Sequence, residues 1–340
     1  MTPLLLAASS FAVSALLTWA LRRYALLRGV LDVPNSRSSH QVPTPRGGGL
    51  AIVVAFLLSV TAITALGQLS LSTAIALLAA GTITAAIGFW DDHAPLSARW
   101  RLAAHFLAAA AALAALGGMP TMPILGIAAL SGWITQVFGA LMIVWLLNLY
   151  NFMDGIDGIA GVEAVTVCAG GAAVALVVEY PAGALACLLL AAASAGFLVW
   201  NFPPAKVFMG DAGSGFLGVV FGVLAVDAAR HAPALLWCWL ILLGAFIVDA
   251  TVTLLRRLLR GERVYQAHRS HAYQHAARTL GAHRPVTLAV GAINVLWLLP
   301  LALLVAAGRL RGEFALPIAW LPLFALAIRW RAGLNETVQN

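Results

Sequence analysis

Asn148–Gly161 reads Asn-Leu-Tyr-Asn-Phe-Met-Asp-Gly-Ile-Asp-Gly-Ile-Ala-Gly, a polar break between the apolar runs Trp133–Leu147 and Val162–Val178. Asp154 and Asp157 are three apart, so they share a face if the segment is helical. Gly155, Gly158 and Gly161 leave the backbone open to close ligand approach. The stretch contains no Lys or Arg. Its acids need a counter-charge, and a hard divalent cation is the natural one. The plainer reading is a glycine-rich helix cap with solvated acids.

Other clusters carry similar chemistry. Asp91 and Asp92 are adjacent in Gly88-Phe-Trp-Asp-Asp-His93, at the end of an apolar run. Adjacent carboxylates repel and oppose the helix macrodipole there, which suits one of them to act as a base. Arg99 and Arg101 are the partners that would make them merely structural. In Asn201-Phe-Pro-Pro-Ala-Lys206-Val-Phe208-Met-Gly-Asp211, the last acid opens the next apolar run, where helix N–H groups point outward. A metal or a phosphate could sit there. Phe208 is a stacking platform for a base or a membrane-surface anchor. Pro43-Thr-Pro-Arg46-Gly-Gly-Gly49 could cradle a phosphate or simply turn the chain into a helix. His268, His271 and His275 are spaced three and four apart, as on one helical face. They could bind zinc or, with Arg269, clamp a diphosphate, and the Asp-rich loops favour the clamp. Asp249 is an acid inside an apolar run, a functional suspect unless Arg256 or Arg257 neutralises it.

The elements that must position these residues are membrane helices. The 340 residues are 62% hydrophobic and 10% charged, with mean hydropathy +0.93, whereas soluble domains carry about 25% charged residues. Eleven apolar segments are candidate spans: 3–21, 48–66, 72–90, 102–117, 133–149, 161–178, 183–200, 213–229, 234–255, 286–307 and 314–330. Residues 118–132 are expected to form a hairpin or interfacial piece. Charge follows the first apolar run rather than preceding it, the wrong polarity for a cleaved signal peptide. Cys168, Cys187 and Cys238 lie inside apolar runs with no metal or disulfide spacing. The expected fold is an all-α polytopic membrane bundle of about eleven transmembrane helices, forming a single domain over 1–340.

Of the 20 Lys and Arg residues, 17 fall in one alternating set of loops and ends, and only Arg230, Arg309 and Arg311 in the other. The positive-inside rule then places the N-terminus outside and the C-terminus in the cytoplasm. The cytoplasmic loops are 22–47, 91–101, 148–160, 201–212 and 256–285, which hold every cluster named above except Asp249. The net charge of +7 suits anionic lipid headgroups or phosphorylated substrates and does not require nucleic acid.

Taken together, Asp91-Asp92, Asn148-x-x-Asn151-x-x-Asp154-Gly-x-Asp157-Gly, Asn201-x-x-Pro-Ala-x-x-Phe208-Met-Gly-Asp211-x-Gly-Ser and His268-Arg-x-His271 resemble the polyprenyl-phosphate N-acetylhexosamine-1-phosphate transferases. The likeness runs from Asp32 to about Arg278. It implies a bacterial inner-membrane, multi-pass enzyme with its site facing the cytoplasm. Undecaprenyl phosphate would attack the β-phosphate of a UDP-N-acetylhexosamine, releasing UMP, with Mg2+ or alternatively Mn2+ as cofactor. By the same resemblance Asp157 and Asp211 are the metal contacts, and Asp91 and Asp92 engage or deprotonate the lipid phosphate, with Asp91 as the base. Asn151 and Asp154 orient the nucleotide diphosphate, Asn201 and Phe208 the uridine, and His271 with Arg269 the diphosphate. Asn148, Lys206 and His268 complete the substrate-binding set, and a homodimer is a further expectation.

Tyr273 and Gln274 stand where many members carry a second and third histidine. That resembles the subgroup that starts O-antigen or capsule on 6-deoxy sugars such as N-acetylfucosamine or N-acetylquinovosamine. Two rival classes fit less well. A CDP-alcohol phosphatidyltransferase needs Asp-Gly-x-x-Ala-Arg, and no Arg follows Ala160. A secondary transporter would place its acids at the midplane, and no repeat of the first half is evident in the second.

Overall fold

A computed structural model describes residues 2–34, 42–94, 96–124, 127–262 and 268–334. Arg37, His40 and Arg263, part of the loop assignments, lie outside the described residues. The chain is almost wholly helical, because backbone N–H and C=O groups in lipid must be satisfied within the segment itself.

In chain order the helices are α1 (Pro3–Arg28), α2 (Leu50–Ala65), α3 (Leu71–His93), α4 (Ala98–Leu116), α5 (Trp133–Met153), α6 (Ile159–Val177) and α7 (Pro181–Asn201). Then come α8 (Asp211–His231), α9 (Ala234–Leu242), α10 (Gly244–Leu259), α11 (Ala272–Leu280) and α12 (His283–Ile293). A π-helical turn (Asn294–Leu298) leads into α13 (Leu299–Ala306), and α14 (Gly312–Arg329) ends the bundle. Two antiparallel ribbons complete it: β1 (Leu31–Asp32) with β2 (Thr44–Pro45), and β3 (Met122–Ile124) with β4 (Ile127–Leu130). The second is the hairpin expected at 118–132.

Each of the eleven apolar segments is helical, but they are not alike. Among the described residues eight helical segments are long and apolar enough to cross a membrane, the run from α12 through the π turn to α13 counting as one. The segment 234–255, expected as one span, is instead broken into α9 and α10 with a 72° bend. Gly244 lies at that break, close against Trp320 of α14. Helix α2 has only 16 residues, about 24 Å of rise. Helix α4 carries Arg99 and Arg101 in its first turn.

Helix α8 is the axis. It is buried along its length and packs against α3 and α5. Small residues make that possible. A Cβ on Gly213 would stand 2.6 Å from the Cα of Gly49, the residue that caps α2, and one on Gly218 would stand 2.6 Å from the Leu146 carbonyl of α5. The N-terminal end of α8 meets the N-terminus of α2 and the C-termini of α3 and α5, and the end of α7 and the loop before α6 border the same cleft.

Candidate active site

Asp92 and Asp211 are brought together by helix-end chemistry. The first N–H groups of α8 have no intrahelical acceptor. The Asp92 carboxylate of α3 supplies one: Asp211 N donates to Oδ1 at 3.2 Å and Ala212 N to Oδ2 at 3.3 Å. Gly88 lets α3 come this near, since a Cβ there would stand 2.7 Å from the Ala212 backbone. Asp211 points from the same turn and accepts from Asn151 Nδ2 of α5 at 2.9 Å, and that amide also donates to Ser214 Oγ at 3.0 Å.

Asp154 and Asp157 do not share a helical face. α5 stops at Met153, α6 begins at Ile159, and the residues between form a loop that Gly158 leaves with φ +73°. The loop is pinned beneath by Tyr150, whose buried hydroxyl donates to the Ala160 carbonyl at 2.6 Å. Asn201 of α7 holds it from the side, accepting from Gly158 N at 3.1 Å and donating to the Val207 carbonyl at 2.8 Å. Asp157 accepts from Ala205 N at 3.0 Å, and its Oδ1 lies 3.2 Å from His283 Nδ1 at the start of α12.

The result is a cleft of about 240 Å³. Asp92, Asp154, Asp157 and Asp211 line it together with Asn151, Arg46, Asp32, Phe208, Gln274 and His283. Part of Asp154 reaches solvent, but burial, and then the charges of Asp211, Asp92 and Asp157, hold its carboxyl well above the usual carboxylate range. A second cavity of about 170 Å³ adjoins the first and shares Asn151 and Asp211 with it. Its walls are α3, α4, α5 and α8, with Asp91, Arg101, His105 and Asn148 among apolar side chains. Asp91 is engaged there: Arg101 pairs with it at 2.7 Å and Leu96 N donates to it at 2.7 Å. Arg101 also stands 4.0 Å from Asp211. Asn148 donates to the Val144 carbonyl at 2.7 Å and meets His105 at 3.3 Å.

Among the described residues no three His, Cys, Asp or Glu side chains stand close enough to enclose a metal. The donor set still suits Mg2+ or Mn2+. A magnesium-type ion takes one or two carboxylates and fills its other positions with water and substrate phosphate oxygens. Mutual repulsion among Asp92, Asp154, Asp157 and Asp211, felt at Asp154, is what such a cation relieves.

Several expected residues stand elsewhere. His268, His271 and His275 do not form one helical face. Asp249 accepts from Ala272 N at 2.9 Å and Tyr273 N at 3.0 Å and so sets the start of α11, leaving His268 ahead of the helix and His271 as its cap. His271 is 1% exposed, 3.3 Å from Asp249 Oδ1, and does not line the cleft. His268 stacks on it with ring centres 4.9 Å apart. Asp249 is therefore answered by His271 and not by Arg257, which pairs with Glu262 at 2.9 Å. Arg269 accepts at its carbonyl from Arg278 at 3.1 Å, and neither lines the cleft. Lys206 lies over the Trp200 ring, 5.6 Å from its centre, outside the cleft. Asn201, by contrast, does line the cleft; it is 3% exposed and both ends of its amide bond backbone, so it also shapes the site by tying two loops.

The glycosyl transferase family 4 model matches residues 74–229. A Streptomyces coelicolor protein that carries a glycosyltransferase name is 32% identical over 321 residues, covering 92% of this chain and 72% of that one. The chain belongs to glycosyl transferase family 4. A probable undecaprenyl-phosphate N-acetylglucosaminyl 1-phosphate transferase of Bacillus subtilis is 29% identical, covering 92% of this chain and 85% of its own. The decaprenyl-phosphate N-acetylglucosaminephosphotransferase of Mycolicibacterium smegmatis is 29% identical, with 79% and 74% covered. Membership sets aside the phosphatidyltransferase and transporter readings. The matched block of family 4 runs from α3 into the last turn of α8, so it holds four of the cleft's five acids but not Asp32, α11 or α12. His283, in the cleft, had no motif to announce it; its signal is positional, as the first residue of α12. Gln274, also in the cleft, stands at a position the histidine motif marks.

Proposed function

We propose that this family 4 member transfers an N-acetylhexosamine 1-phosphate from a UDP-sugar to undecaprenyl phosphate and releases UMP. The observation that carries the reading is the five-carboxylate cleft opening beside a largely apolar cavity. One serves a water-soluble diphosphate, the other a lipid. A phosphate oxygen of the lipid attacks the β-phosphorus, its bond to the bridging oxygen breaks, and UMP leaves with that oxygen. Asp157 and Asp211 would hold Mg2+ with the diphosphate, and the bound ion supplies charge neutralisation for the phosphates. Asn151 and Asp92 keep Asp211 aimed into the cleft, while Asp154 and Arg46 flank the diphosphate and Phe208 offers a face to uracil. The acceptor phosphate seats at Arg101 on the rim of the second cavity, displacing Asp91, which is then free to take a proton. Because a phosphate monoester is largely dianionic at neutral pH, orientation matters more here than basicity.

The unequal distribution of Lys and Arg supports an inner-membrane protein with its N-terminus outside, its C-terminus in the cytoplasm and the cleft on the cytoplasmic face. All eleven apolar segments then cross or enter the membrane, and the enzyme works as a homodimer. Gln274 lines the cleft where the resemblance would place histidine, which supports a 6-deoxy donor and the first step of O-antigen or lipopolysaccharide synthesis. The relatives' names favour UDP-N-acetylglucosamine.

The test is UMP release by purified protein in detergent with undecaprenyl phosphate, Mg2+ and a panel of UDP-N-acetylhexosamines that includes 6-deoxy forms. UMP formed only with lipid and metal together supports the reading, and the best donor identifies the sugar. Folded protein that releases no UMP with any donor overturns it.

A further inference from the structure

Helix α12 meets α6 along one stripe of side chains. His283 reaches Asp157 at 3.2 Å, and Thr287 Oγ1 donates to the Asp157 carbonyl at 2.8 Å. Gly291 lies so close that a Cβ would stand 2.9 Å from Val162. At the far end Asn294 Nδ2 donates to Glu163 Oε2 at 2.6 Å and to Thr166 Oγ1 at 2.8 Å. These four positions follow helical spacing, and the π turn begins at Asn294.

Glu163 is fully buried inside an apolar helix and Asn294 is 2% exposed. Among the described residues no Lys, Arg or His pairs with Glu163. Two buried atoms of this pair have no hydrogen-bond partner: Glu163 Oε1 and Asn294 Oδ1. Both are acceptors if the carboxyl is ionised, so both stay unsatisfied, and an uncompensated charge sits at membrane depth. A single proton on Oε1 removes all three problems. The acid O–H then donates to Asn294 Oδ1 while Asn294 Nδ2 donates to Oε2, a cyclic acid–amide pair with every polar atom satisfied.

We propose that Glu163 is held as a neutral acid whose cyclic pair with Asn294 anchors α12 on α6 and so positions His283 and the Asp157 loop at the cleft. Glu163 and Asn294 touch no substrate, so they are positioning residues for the transfer proposed above, and their effect on turnover rests on that reading.

The experiment compares Glu163→Gln, Glu163→Leu and Asn294→Leu in the full chain. A glutamine amide carries a donor where the neutral acid carries its O–H. Glu163→Gln is therefore expected to keep the thermal midpoint and UMP release within about twofold of the parent, since both hydrogen bonds persist. Both leucine variants lower the midpoint and reduce kcat/KM by about tenfold or more, because the remaining partner is left buried and unsatisfied. In a difference infrared spectrum of parent minus Glu163→Gln in neutral buffer, the stretching band of a protonated carboxylic acid is present. A carboxylate band in its place, or a Gln variant as damaged as the Leu variant, overturns the proposal. Should no donor yield UMP, the reaction reading falls, while the infrared band and the ordering of midpoints still decide the anchor.

Discussion

Replacing Asp211 by Asn removes one charge from the cleft and little else. The side chain is 41% exposed. Its bond from Asn151 Nδ2 ends on Oδ1, and an amide oxygen can accept there equally. The variant loses the favourable placement of an acid in the first turn of α8, about 0.3–1 kcal/mol. It gains relief from repulsion by Asp92 and Asp154. The thermal midpoint without metal should therefore move by no more than about 3 °C. Turnover should behave differently. If Asp211 shares the cation and diphosphate, losing its charge removes a preorganised electrostatic contact. Such contacts are worth about 3–4 kcal/mol, or roughly 10²–10³ in rate. Metal linkage gives an independent measure. At 100-fold excess over its Kd a ligand stabilises by about 2.7 kcal/mol, and the part of the Mg2+-dependent rise in midpoint that comes from this site should vanish in Asp211→Asn. The assays are UMP release in detergent and thermal unfolding with and without Mg2+. Turnover within about threefold of the parent, with the Mg2+ effect intact, would remove Asp211 from the metal site.

Three further outcomes follow from the geometry. Asp92→Ala strips the cap from α8 and should cost about 1 kcal/mol, seen as a lower midpoint, with Asp92→Asn between it and the parent because one amide oxygen can still accept. Gly155→Ala would drive a Cβ into the Tyr273 hydroxyl; the variant should lose stability and activity, Tyr273→Phe alone should cost about 1 kcal/mol for the bond to the Phe152 carbonyl, and the double variant should recover part of the loss in a double-mutant cycle. The carboxyl of Asp154 is raised above its usual range, so the folded chain binds its proton more tightly than the unfolded one, and that contribution to stability is lost as pH rises through the folded value. A cation must displace the proton, so the Mg2+-induced rise in midpoint should grow from acidic to mildly alkaline buffer; an effect that is flat with pH would refute the charge cluster.

Most acids of the two cavities were legible one by one. Asp91, Asp92, Asp154, Asp157 and Asp211 interrupt apolar runs, where an acid has no structural excuse, and Asn151 stands one helical turn before Asp154. The histidines were not. Their spacing suggested one helical face, but Asp249, some twenty residues upstream, sets where α11 begins and turns His271 inward as a cap. Lys206 misled for a similar reason: a loop cation looks free in sequence, yet it lies over the aromatic ring of Trp200. Asn201 does line the cleft, with its amide bonded to the backbone of Gly158 and Val207.

Composition and apolar segment length alone determined that this chain is a helical membrane protein, because lipid leaves the backbone few other ways to satisfy its hydrogen bonds. The order of the acidic motifs determined the family. Only the tertiary structure decided which acids face one another. That depends on helix ends meeting across the bundle, on Asp92 reaching the open N–H groups of α8 and on His283 reaching Asp157 across more than a hundred residues. Such contacts rest on close approaches at Gly88, Gly213 and Gly218, and a distance between helices has no period in the sequence to reveal it.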